Sequence, residues 1–189
     1  MKINMDTILL DPHPLLREKA KPVSIPLSDE DQQLIMAMRK YVHDSKNEEI
    51  AEKERLKPAV GLAAPQIGIS KQLLVVEIEQ YDEDDNVIIV EYALANPKII
   101  AHSPLYCALS TGEGCLSIVQ EHPGYVHRYL RVRIEAYDAI KKQIVQIKAT
   151  GYPGIVLQHE IDHLNGVLFY DHINKSNPWQ AKENTKIIE

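Results

Sequence analysis

The sequence predicts an α+β fold, on three observations. Apolar residues recur at helical spacing after Ser28-Asp29-Glu30-Asp31, and two pairs of Val/Ile/Leu-rich runs are each split by a polar break. A further run over residues 154–164 carries His159-Glu160-Ile161-Asp162-His163 at helical rather than strand spacing.

In chain order, Ser28 offers a capping hydroxyl, and Asp29, Glu30 and Asp31 place negative charge at the positive end of a helix. Leu34, Ile35, Met38, Tyr41 and Val42 form its apolar face, which predicts an amphipathic helix towards the N-terminus. Over residues 44–57 charged side chains dominate and only Ile50 and Leu56 are large apolar anchors, so a solvated helical insertion is expected there. Too little chain precedes it to fold alone, so residues 1–189 are expected to form a single domain.

Residues 72–78 and 86–92 read as paired strands across the hydrophilic turn 80–85. Leu130, Val132, Ile134 and Ala136 alternate with Arg131, Arg133, Glu135 and Tyr137, and Val145, Ile147 and Ala149 continue the alternation beyond Lys141-Lys142. They predict a second antiparallel pair, whose turn has no glycine. Thr150-Gly151-Tyr152-Pro153 then supplies a cap and an early proline for a second helix that ends near Gly166. Residues 174–189 contain Pro178 and no sustained apolar period, which predicts an extended or loosely packed tail.

Composition narrows the function classes. The 44% hydrophobic content of the 189 residues is enough for one continuous core, which argues against a disordered or fibrous protein. The formal charge of −6, with both signs mixed along the chain rather than blocked into a basic face, makes duplex nucleic acid a poor guess for the main ligand, and no DNA partner is expected. Two cysteines, Cys107 and Cys115, are too few for a disulfide framework, so a reducing compartment and a free-thiol or metal-ligand role are expected. No secretion or import signal opens the sequence and no apolar run approaches a bilayer span, so a cytoplasmic protein without a membrane partner is expected, as a monomer.

The chemistry centres on HExxH. A four-residue separation turns His159 and His163 onto one helix face, where two imidazoles can grip one metal ion, while Glu160 sits about 100° around the helix and is free to act as a base. A catalytic metal needs a third ligand and an open position. Cys115, in Gly112-Glu113-Gly114-Cys115-Leu116-Ser117, is the best candidate, whereas Cys107 reads as a buried filler. His13, His43, His102, His122, His127 and His172 lie outside any ligand spacing and read as surface or core residues. Gly61-Leu62-Ala63-Ala64-Pro65-Gln66-Ile67-Gly68 is small and apolar except for Gln66, whose amide suits donation to a developing oxyanion. Softness alone would select zinc for one thiolate and two imidazoles. A zincin-like peptidase, a thiol hydrolase with Cys115 as nucleophile and a non-enzymatic metal-dependent peptide binder remain open at this point.

Together and in this order, the three segments resemble the peptide deformylase family. Its glycine-rich element, its EGCLS element and its QHExDH helix stand here as Ala59-Val60-Gly61-Leu62-Ala63-Ala64-Pro65-Gln66, Glu113-Gly114-Cys115-Leu116-Ser117 and Gln158-His159-Glu160-Ile161-Asp162-His163. The charged insertion, the Pro-Gly-Tyr run at 123–125 and the non-helical tail look like the second bacterial type. Ala59 stands where the family has its first glycine, a change that removes no group needed for chemistry.

The resemblance implies antiparallel β-sheets packed around a central helix carrying HExxH. It implies removal of the formyl group from the N-terminal formylmethionine of nascent polypeptides, with release of formate. Carried over by motif position, Cys115, His159 and His163 hold the metal, Glu160 is the general acid/base, and Gln66 and the Leu116 N–H meet the charge on the formyl oxygen. The methionine pocket maps onto Val60, Tyr152, Ile155 and Val156, and Gly61 and Gly114 offer backbone for pairing with the peptide. The metal implied is Fe2+, with Zn2+, Ni2+ or Co2+ as replacements. The partners implied are N-formylmethionyl peptides and nascent chains, with transient ribosome contact.

Overall fold

The structure, a computed structural model, describes residues 2–81 and 84–189. Three α-helices are described, α1 (Asp29–Asp44), α2 (Glu48–Glu54) and α3 (Tyr152–Leu164). The strands are β1 (Gly61–Ala63), β2 (Leu73–Tyr81), β3 (Val87–His102), β4 (Tyr106–Leu109), β5 (Arg128–Tyr129), β6 (Arg131–Asp138), β7 (Gln143–Thr150) and β8 (Thr185–Ile188). Five of them form an antiparallel sheet in the order β1-β2-β3-β6-β7, and β5-β4-β8 form a smaller one. The α+β class read from the sequence is the class observed.

Strand β2 shows why the larger sheet carries helices on both faces. Its residues 73–78 are buried without interruption, and period-two geometry sends alternate side chains to opposite sides. Leu73 and Val75 join Leu34, Ile35, Met38, Tyr41 and Val42 of α1 in one core cluster. Leu74, Val76 and Ile78 join Val156, Leu157, Ile161 and Leu164 of α3 in another. Ser28 caps α1 by accepting a hydrogen bond from the Asp31 N–H at 3.1 Å. Burying a side chain such as Met38 stabilises by about 1.5–3 kcal/mol, which is how a helix of modest propensity is held in place.

The structure differs from sequence expectation at several places, each for a local reason. Strand β3 runs ten residues past the expected end at Tyr92, through Pro97, because register shifts between Ala95 and Lys98 and between Ile99 and Ala101 let β6 follow a bulged strand. Of the expected turn 80–85, residues 82 and 83 lie outside the described residues. The β6–β7 turn manages without glycine because Asp138 Oδ1 accepts from the N–H groups of Ile140 and Lys141, and Lys142 takes a φ of 54°. The N-cap of α3 is Gly151, not Thr150, which ends β7; the φ of 65° there favours glycine over any residue with a Cβ.

Residues 174–189 pack against the body of the chain. Strand β8 pairs in parallel with β4, from Tyr106↔Thr185 to Leu109↔Ile188. Upstream of it the Tyr125 N–H donates to Pro178 O, and Trp179 meets the Tyr125 ring edge-on at 5.1 Å. Among the described residues, no helix is long and apolar enough to cross a membrane.

Candidate active site and metal centre

Helix α3 brings the motif residues into a cavity of about 680 Å³. Pro153 occupies its first turn, and its buried face runs from Ile155 to Leu164. Gln158 fastens the helix to β5: its Oε1 accepts from the Tyr129 N–H and its Nε2 donates to Tyr129 O, both at 3.0 Å. On the same helix the rings of His159 and His163 lie 4.9 Å apart between centroids, as the four-residue spacing allows.

The thiol of Cys115 meets them. Its Sγ is 3.2 Å from His163 Nε2, and one donor atom from each of Cys115, His159 and His163 lies within 4.8 Å of the other two. His159 Nδ1 donates to Glu113 Oε2 at 2.8 Å, which leaves Nε2 of that ring for a metal. Burial alone would raise the Cys115 thiol, but the imidazoles of His163 and His159 outweigh it and hold the thiol at about 5. A thiolate with two imidazoles is a donor set that fits a divalent transition metal with one position left open.

Glu160 is 4% exposed, and its Oε2 finds no hydrogen-bond partner among the described residues. Burial pushes its carboxyl up to about 7, against the opposing pull of His159 and His163. An orphaned buried carboxylate beside a possible metal site is poised for proton transfer and contributes nothing obvious to stability. Gly61 permits its position. A Cβ built on Gly61 would fall 2.7 Å from the Glu160 carboxyl carbon and 2.9 Å from its Cγ.

Gln66 lies in a buried 3-10 turn (Ala64–Ile67) that follows β1. Its Oε1 accepts from the Ala63 N–H at 2.8 Å, which fixes the amide plane. Its Nε2 points to Cys115 Sγ at 3.5 Å and Ser117 Oγ at 3.3 Å. The amide therefore steadies the thiolate as well as facing the cavity. The Leu116 N–H has no acceptor among the described residues. Val60, Gly61, Gly114, Tyr152, Ile155 and Val156 all line the same cavity, together with Gln66, Cys115, Leu116, His159 and Glu160. His163, buried behind them, reaches the cluster through its ring nitrogen. Cys107 is fully buried on β4 and is not among the residues that line the cavity.

Sequence reasoning gave no role to the ion network behind His159. Arg128 grips Glu113 in a two-point contact, Nε and Nη2 each at 2.9 Å, and its Nη1 pairs with Asp162. His172 Nε2 donates to Asp162 Oδ2 at 2.7 Å, which makes His172 part of this network rather than a free surface residue. Burial would raise the Glu113 carboxyl, but Arg128 and His159 overcome it and hold Glu113 at about 2. Glu113 and Asp162 stand inside recognisable motifs, which was an available signal. Arg128 and His172 have none, because their partners are distant in sequence.

A family model described as polypeptide deformylase matches residues 5–179. The chain is 48% identical over 187 residues to "Peptide deformylase 2" of Bacillus subtilis (strain 168), covering 99% of each. It is 46% identical to "Peptide deformylase" of Ligilactobacillus salivarius (strain UCC118) over 99% of this chain and 100% of that one. Among solved structures it resembles a Met-Ala-Ser-bound class I type b peptide deformylase from Acinetobacter baumannii. That match has a TM-score of 0.69 and 29% identity, and covers 92% of this chain and all of the other.

Proposed function

The chain belongs to the polypeptide deformylase family, and from that premise we propose how its own residues divide the work. Its activity is metal-dependent removal of the formyl group from the N-terminal formylmethionine of nascent polypeptides, releasing formate. In this reading Cys115, His159 and His163 hold the metal, with Fe2+ as the cellular ion and Zn2+, Ni2+ or Co2+ as replacements. The observation that carries it is the convergence of three donor atoms within 4.8 Å, beside a Glu160 oxygen with no hydrogen-bond partner among the described residues. A divalent ion held there supplies Lewis acidity and makes water a nucleophile near neutral pH.

Glu160 takes the proton from the attacking water and returns it to the amine as the C–N bond of the formamide breaks. The negative charge that grows on the formyl oxygen is met by the Gln66 amide and the Leu116 N–H. The methionine side chain enters between Val60, Tyr152, Ile155 and Val156. The backbone at Gly61 and Gly114 pairs with the peptide in strand fashion, and at Gly114 the open space around a built Cβ supports close approach by a ligand.

We read α3 as the central helix of the fold and α1 as its N-terminal amphipathic helix, with residues 1–189 acting as one catalytic domain. Residues 44–57 form the charged insertion and residues 174–189 the extended tail. The protein works as a monomer in the cytoplasm and meets its substrate in transient contact with the ribosome. The test is turnover of formyl-Met peptides against the same peptides unblocked, before and after chelation. Deformylation that stops on chelation and returns with Fe2+ or Co2+ supports the reading. Cleavage of unblocked peptides would point to a zincin-like peptidase, and activity that survives chelation to a thiol hydrolase.

A further inference from the structure

The face of the larger sheet that α1 covers at the β2 end is bare at the β6–β7 end. Tyr137 is the last residue of β6 on that face to reach the α1 core; Glu135, Arg133 and Arg131, two residues apart in succession, are exposed. The register sets Lys98 and Gln146 on either side of Glu135, Lys148 directly opposite Arg133, and Thr150 opposite Arg131. Lys98, Arg131, Arg133 and Lys148 form no ion pair among the described residues, and the one carboxylate in their midst, Glu135, accepts from Gln146 Nε2. Like charges directly opposite on an antiparallel ladder are destabilising. Here the pair Arg133–Lys148 joins β6 to the edge strand β7 in a chain whose formal charge is −6.

We propose that this bare basic face is a docking surface for the phosphate backbone of structured RNA. The proposal rests on the reading of the chain as an enzyme of nascent polypeptides, whose substrates emerge from an RNA-rich particle. Charge complementarity favours this occupant. Side chains two residues apart on a strand stand about 6.6–6.8 Å from each other, and neighbouring strands lie about 4.8 Å apart, so the face presents a regular lattice of single positive charges. Two of the four are guanidinium groups, which suit phosphate oxygens. None of the exposed residues named on this face is aromatic, and Tyr137 is buried against α1, so phosphates rather than stacked bases would be contacted. The residues of β6 and β7 that pack on α3 lie on the other side of the sheet, so docking here leaves the cavity free.

The test measures binding of a labelled RNA duplex of arbitrary sequence to the full chain, and turnover of formyl-Met chains stalled on ribosomes. If three phosphates are neutralised, affinity falls about 20–40-fold between about 50 and about 200 mM salt. Arg131→Gln/Arg133→Gln should remove most of that binding and its salt dependence, slow turnover on ribosomes, and leave turnover of a free formyl-Met tripeptide unchanged. Lys148→Glu should flatten the salt slope by about one while the melting temperature holds or rises, because Arg133 gains an opposite charge across the ladder. Unchanged RNA binding in these variants, or a loss that tracks a falling melting temperature, would overturn the proposal. Capture of a poly-glutamate peptide but not of RNA would overturn it in favour of an acidic protein partner. Lack of free-tripeptide turnover by the unaltered protein is a separate result and strikes the deformylase reading instead.

Discussion

The backbone of Gly61 and the carboxyl of Glu160 pack with no room for a methyl group between them. A Cβ at Gly61 would stand 2.7 Å from the carboxyl carbon, so the edge strand β1 and the helix α3 together define where the proton carrier sits. Gly61→Ala should push Glu160 out of line without touching a ligand. A displacement of about 1 Å in a catalytic group costs on the order of 10²-fold, so kcat should fall by about that factor while metal content stays normal. Steady-state kinetics with metal analysis on one preparation checks both.

Gln66→Leu keeps similar bulk and deletes a donor whose value to catalysis grows as charge develops on the formyl oxygen. Loss of one such donor costs about 10²–10³-fold in kcat, with a modest change in KM. Because Gln66 Nε2 also touches Cys115 Sγ and Ser117 Oγ, metal content must be measured alongside. If kcat held and only KM rose, Gln66 would be a ground-state binding residue.

Glu113→Gln should weaken the metal site from behind. The carboxylate orients His159 through Nδ1 and neutralises Arg128. Loss of such an orienting partner typically costs about 10–100-fold in metal affinity. Competition with a chelator of known strength reads the change, and an unchanged affinity would remove Glu113 from the site.

The same carboxylate carries an acid-stability signature. Its pKa is lowered from 4.5 to about 2 in the fold. The unfolded state therefore binds its proton first as pH falls, and the stability it contributes is present above about pH 4.5 and lost towards pH 2. Denaturant melts of the metal-free protein across that window should show stability falling with pH. In Glu113→Gln the fall should be shallower, from a lower starting stability.

Why some of this was legible in the sequence and some was not follows from how far apart the partners are. His159 and His163 are about one helix turn apart and Glu160 directly follows His159, so spacing alone put the two histidines on one face and the glutamate beside it. Cys115 and Gln66 needed three motifs read together, since each reaches the site from a different segment. The network from Glu113 through Arg128 and Asp162 to His172 joins residues 10–34 positions apart with no periodic signature. Strand β8 was hidden for a similar reason: its partner β4 lies about eighty residues earlier, and its edge position, with middle residues exposed, left no apolar alternation to read.

The measurement that bears most directly on the account is Glu160→Gln, with metal content and turnover of a formyl-Met peptide determined on the same sample. The substitution keeps size and burial and removes the proton carrier, leaving Cys115, His159 and His163 intact. Full metal occupancy with turnover lower by several orders of magnitude is the predicted result. Near-normal turnover would contradict it, and the proton would then have to travel through another group.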